Sequence, residues 1–234
     1  MKTGFCVFRA GALPSGQSRR PAAGLLVLPL AVLALSSCFG VSLDISVKND
    51  GSGRMNLEYR FSRQLESLGR LDGNGRWNII PTGEADFKRS LARSADLDLV
   101  SFSAKEEDGD IVNRAEIEFK TSAALVSFLD AGGRRAAAGE EGAKKKLRLV
   151  LHEGTGNADP ELLSLLKENS GNREVSVSLS APGEASLALV NLAGEKIEAP
   201  PGARLTARGK KVSFAMNTGD LLGFPGGIIL EILF

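Results

Sequence analysis

Between Val41 and Ser62, apolar and polar residues alternate with period two on both sides of one turn. Val41, Leu43, Ile45 and Val47 alternate with Ser42, Asp44, Ser46 and Lys48. After "NDGSG", Met55, Leu57, Tyr59 and Phe61 alternate with Asn56, Glu58, Arg60 and Ser62. Successive side chains of a strand point to opposite faces, so the pattern predicts a β-hairpin with one buried face. Asn49, Asp50 and the two glycines provide the positive φ angles of its turn.

The pattern then changes period. Ser62 is placed to cap a short helix through Leu65 and Leu68, closed by Gly69. A second helix is predicted near Glu84 to Ala95, where Phe87 and Leu91 stand four residues apart. Strands follow over Asp98 to Lys105 and Ile111 to Lys120, with the acidic turn Glu106 to Asp110 between them. On the later strand Ala115, Ile117 and Phe119 share a face. Thr121 caps a helix through Leu125, Phe128 and Leu129.

Residues Ala131 to Lys146, "AGGRRAAAGEEGAKKK", are low in complexity and carry no apolar period, which predicts a mobile loop or a boundary between halves. Beyond it Leu147, Leu149 and Leu151 mark a strand, and Asp159-Pro160 opens a helix with proline at its first position. Leu162, Leu163, Leu165 and Leu166 form the buried side of that helix, and Asn169 to Gly171 end it. Four further strands are predicted over Glu174 to Ser180, Ala185 to Val190, Lys210 to Met216 and Gly227 to Phe234. The apolar ending "GGIILEILF" suits a central strand buried on both faces. The order predicts an α+β fold, with antiparallel sheets and short helices packed on one side. The boundaries are an N-terminal region over 38–130, a loop over 131–146 and a β-rich region over 147–234, the last also able to form one domain with the first.

The first 37 residues read differently. Lys2, Arg9, Arg19 and Arg20 precede fourteen uncharged residues, Ala22 to Leu35, with no acidic residue among them. A positive end followed by a short apolar core is the layout of a cleaved export signal, and the run is shorter than the ~20 apolar residues of a membrane-spanning helix. Leu35-Ser36-Ser37-Cys38 resembles the lipobox of bacterial lipoproteins: an aliphatic residue, two small residues, then a thiol that can take a diacylglyceryl group. The resemblance implies lipidation at Cys38 and a chain tethered to a membrane of the cell envelope, either the outer membrane or the outer face of the cytoplasmic membrane.

Charge narrows the partners. The full chain has a net charge of +1, and loss of the four cationic leader residues takes it to −3. A nucleic-acid binder needs a basic face, so nucleic acid is not expected as a partner. With Cys38 acylated no free thiol remains for a disulfide or for thiol catalysis. Arg134, Arg135, Lys144, Lys145 and Lys146 are the candidates for contact with anionic head groups, where each basic side chain near a bilayer gains about 1 kcal/mol.

Other motifs carry less. His152 is the only histidine, and "LHEGTG" lacks the second histidine one turn later that a zinc protease helix needs. "NDGSG" and "DGNG" precede no phosphate-binding helix, and Asp72, Asn74 and Glu84 lack the spacing of a calcium loop. Glu106, Glu107, Asp108 and Asp110 read as a solvated turn. No metal, cofactor or catalytic residue is expected.

The lipobox followed at once by the alternating strand, "NDGSG" and "RMNLEYRFS" is similar to the LppM-type domain of mycobacteria and to spirochaetal envelope lipoproteins. That resemblance implies an α+β domain tethered outside the cytoplasmic membrane that binds lipid. The expected function is therefore a non-enzymatic, lipid-anchored envelope protein binding an envelope lipid, another small ligand or a protein partner. A structural subunit of an envelope complex, and a hydrolase using His152 with Glu153, are the alternatives.

Overall fold

The computed structural model describes residues 39–62, 84–92, 94–130, 135–155, 160–161, 164, 167 and 170–234. Cys38, Arg134, the export signal, the predicted helix after Ser62 and the leucines at 162–166 lie outside the described residues. The hairpin that the alternation predicts is present as β1, Phe39–Val47, and β2, Gly53–Ser62, paired antiparallel with Val47 opposite Gly53. Gly53 has to be glycine: a Cβ there would stand 2.0 Å from the Ser46 carbonyl oxygen and 2.5 Å from the Phe119 ring.

A short helix, α1 (Glu84–Leu91), precedes a second hairpin of β3, Leu97–Glu107, and β4, Asp110–Phe119. Its turn needs only Asp108 and Gly109, both at positive φ, so Glu106 and Glu107 extend the strand rather than the turn. Helix α2, Ser122–Leu129, is capped as the sequence requires, with Thr121 Oγ1 accepting the Ala124 amide at 3.1 Å.

From Ala136 on, the low-complexity segment is strand rather than loop. Ala136–Glu141 forms β5, and Lys144–His152 forms β6, joined by Gly142 at positive φ. Alanine is a poor strand former, and β5 exists because β6 offers it a complete partner: Ala136 opposes Leu149, Ala138 opposes Leu147 and Glu140 opposes Lys145. Pro160, Glu161, Ser164, Lys167 and Ser170 are helical. Four of the remaining strands were expected: β7 is Glu174–Ser180, β8 is Ser186–Val190, β10 is Lys211–Asn217 and β11 is Ile228–Leu233. The edge strand β9, Arg204–Arg208, and helix α3, Thr218–Gly223, were not.

The strands form two sheets, ordered β3-β4-β2-β1-β7-β10-β9 and β5-β6-β11-β8. The expectation of purely antiparallel sheets needs one correction, because β1 and β7 run parallel, Val41 beside Val175 through Ser46 beside Ser180. This pairing places a strand from the 147–234 region at the middle of the sheet begun by the hairpin. Strand β11 is central in the second sheet, with Ile228, Ile229 and Leu230 fully buried. Inner-face residues of both sheets, among them Ile45, Leu179, Phe214, Leu149 and Leu230, belong to one continuous core that also takes Phe87 of α1 and Leu125 of α2. The outer face of the larger sheet is polar. Arg54 bridges Glu116 and Glu118, Arg114 bridges Glu58 and Glu107, and Ser42 bonds Ser176 across the parallel pair.

Candidate functional site

Beside Val47, at the end of β1 away from Phe39, lies a cleft of about 270 Å³. Its floor is apolar: Val47 of β1, Leu125 of α2, Leu147 of β6 and the Phe234 side chain. Ala138, Gly139 and Glu140 of β5 form one wall, and Ser122 and Lys145 stand at the rim. The side chains at Ala138 and Gly139 are too small to close this wall.

Lys145 owes its position to strand phase. It shares the inner face with Leu147 and Leu149, so the pleat aims its side chain at the cleft while Lys144 and Lys146 point to the outer face. Its Nζ lies 3.1 Å from the point where a Cβ on Gly51 would stand, and Ser122 Oγ lies 3.6 Å from the same point. Gly51, at φ 86°, thus leaves open the space between an ammonium and a hydroxyl. Ser122 Oγ makes only a long 3.5 Å bond to the Gly51 carbonyl. Lys145 forms no ion pair among the described residues, and Glu140, its cross-strand neighbour, is exposed.

Of the other basic candidates among the described residues, Lys146 also borders this cleft, but its ammonium is engaged elsewhere. Lys146 is held between Glu141 at 3.0 Å and Glu231 at 2.9 Å, which raises its pKa through those two hydrogen bonds. Lys144 Nζ donates to the Glu184 carbonyl at 3.3 Å, and the main chain of Arg135 is tied to Asp130. The expected cluster is therefore divided between two faces of one hairpin. A second cleft, of about 300 Å³, lies on the outer face over Lys146, Arg148 and Glu231, with Leu192 to Gly194 as its far wall. Its charges largely serve one another, although Arg148 Nε stands 3.8 Å from Glu231 Oε1, too far for a hydrogen bond.

His152 ends β6 and is half-buried, with Nε2 donating to the Phe224 carbonyl at 3.1 Å. The hydrogen bond described for its ring thus goes to main chain and not to a nucleophile or carboxylate. Burial pushes its pKa below the usual 6.5, and the Phe224 carbonyl partly offsets this. An unfolded chain therefore takes the proton first, and this contribution to stability falls as pH drops below about 6.5. Urea unfolding at pH 5.5 and 7.5 is expected to show a smaller acid loss for His152→Gln than for the native chain; equal losses would refute the assignment. Among the described residues, no three His, Cys, Asp or Glu side chains converge as a metal site would require.

Fold and cleft together define an α+β domain of two facing sheets with a small amphipathic cleft at one end. No family model matches the chain, and no curated protein sequence matches it. The fold is similar to the folded domain of the LppM protein of Mycobacterium tuberculosis, known from an NMR structure. The two are 13% identical with a TM-score of 0.43 over 83% of this chain and 88% of that chain.

Proposed function

We propose that the chain is a non-enzymatic protein of the cell envelope, tethered through lipid on Cys38, whose cleft binds an amphipathic small molecule carrying an anionic group. One observation carries this reading: a lysine ammonium that forms no ion pair among the described residues stands at the rim of a cleft floored by Val47, Leu125, Leu147 and Phe234. Apolar surface with one fixed charge at its edge selects molecules with a chain and a head. The volume, about 270 Å³, is at the small end of ligand pockets and accepts a head group with the first part of its chain.

The tether's position in the sequence, one residue before β1, favours ligand capture over contact with the bilayer. β1 begins at Phe39, directly after Cys38, and its nine residues rise about 27 Å to Val47 at the cleft. With β1 upright on Cys38, Lys145 would stand above the head groups of the anchoring membrane, beyond a Debye length of about 8 Å.

Mass spectrometry of the membrane-fraction protein beside Cys38→Ser tests the tether, with a diacylglyceryl mass expected on a chain that begins at Cys38. An unmodified chain retaining Met1 would remove the tether from the reading. Fluorescence titration with cis-parinaric acid, a fatty acid, tests the cleft. Lys145→Met is expected to bind this acid about tenfold more weakly or worse, while a long-chain alcohol binds both proteins alike. No saturable binding, or equal affinity for the acid in both proteins, would overturn it.

A further inference from the structure

Strand β5 is the free edge of the smaller sheet, and Ala137 to Glu141 are exposed along it. Edge strands are usually protected by lysine, proline, a bulge or a covering element. β5 has no lysine, proline or bulge over Ala136 to Gly139, and although α2 packs beside it, Ala137 to Gly139 stay exposed. The free main-chain groups are fixed by register: Val150 N donates to the Arg135 carbonyl, so the residues in phase with Arg135 face β6, and Ala136, Ala138 and Glu140 turn their N–H and C=O groups outward.

We propose that β5 pairs antiparallel with β5 of a second copy of this chain about a twofold axis at Ala138, joining the two smaller sheets into one. This register places Ala138 opposite its own counterpart and Ala136 opposite Glu140 of the second copy, so every outward group of the strand finds a partner. It also sets the exposed Arg135 opposite the exposed Glu141 of the other copy, once on each side of the axis. Moving the axis to Ala137 or Gly139 still sets outward residues opposite one another, but it takes Arg135 away from Glu141 and carries Glu140 or Ala136 past the end of the partner strand, so charge selects the register at Ala138. Small residues at the centre let the backbones approach without steric conflict. Ala138 and Gly139 line both clefts, so the added strand becomes a new wall of each.

Edge pairing buries less than the ~800 Å² per partner of a standard interface, so association depends on concentration, and a shared membrane raises it. Sedimentation equilibrium of the full chain tests the proposal. Arg135→Glu and Glu141→Arg are each expected to weaken dimerisation about tenfold, and the double exchange to restore it. Ala138→Cys, with Cα atoms about 5.5 Å apart across the axis, is expected to form an intermolecular disulfide on vesicles, whereas Ala136→Cys is not. A chain that stays monomeric in solution and does not cross-link through position 138 on vesicles would overturn the proposal. So would a dimer indifferent to the charge exchange.

Discussion

Arg173→Leu is expected to lower the stability of the domain by about 3–5 kcal/mol, which is the usual penalty for leaving a buried charge without its partner. Arg173 Nη2 lies 2.6 Å from Asp110 Oδ1 and its Nε 3.2 Å from Oδ2, a two-pronged contact between the start of β4 and the segment entering β7. The Asp110 side chain retains only 12% of its exposure. Removing the guanidinium therefore strands a carboxylate that water barely reaches. Arg54 makes equally short contacts with Glu116 and Glu118, but its side chain is 51% exposed and water replaces what a substitution removes. Urea unfolding checks the contrast, with a large drop in midpoint for Arg173→Leu and little for Arg54→Leu. Asp110→Leu in the Arg173→Leu background should recover much of the loss, since a buried pair replaced by apolar side chains is often neutral. A double variant no better than Arg173→Leu would place the cost in Arg173's other contacts.

Much of this fold was legible because burial is one-sided. Where a strand has one wet and one dry face, as β1, β2 and β4 do, alternation reports its existence, extent and orientation together. The same rule fails where the dry face is short or small. Only Leu205 of the exposed β9 points inward as a large apolar residue, and β5 presents alanines whose inward positions look no different from their outward ones. Partner choice was not legible either, since a period of two fixes which face is buried and not whether the next strand runs parallel, as β7 does beside β1. The cleft could have been anticipated in part. The phase that buries Leu147 and Leu149 also turns Lys145 inward, whereas counting Lys144, Lys145 and Lys146 as one basic patch ignored that phase. The gap at Gly51 depends on α2 and β6 meeting the β1–β2 turn in space, and no local pattern encodes it.

Strand β4 carries one more position that its phase exposes. Ala115, Ile117 and Phe119 face the core, and two residues earlier the same face holds Asn113, fully buried beside Tyr59 and in register with Ala104. Among the described residues, neither the amide nitrogen nor the amide oxygen of Asn113 has a hydrogen-bond partner. Its surroundings are aromatic: Tyr59 stacks on Phe61 and on Phe87, which in turn tilts against Phe102. Each unsatisfied buried polar group costs about 1–3 kcal/mol, and leucine has nearly the shape of asparagine without that demand. Asn113→Leu is therefore expected to raise stability by about 2 kcal/mol or more, a rise in Tm of roughly 4–8 °C for a chain of this size. Asn113→Ala should gain less, because the cavity it leaves offsets part of the relief. Differential scanning calorimetry decides between them. A Tm that is unchanged or lower in Asn113→Leu would mean that the amide is satisfied in solution by a buried water, and that β4 keeps asparagine for the hydrogen bonds it makes. A higher Tm would mean that the native chain forgoes stability at this position, directing attention to the aromatic floor beneath α1 as the place where that polarity is used.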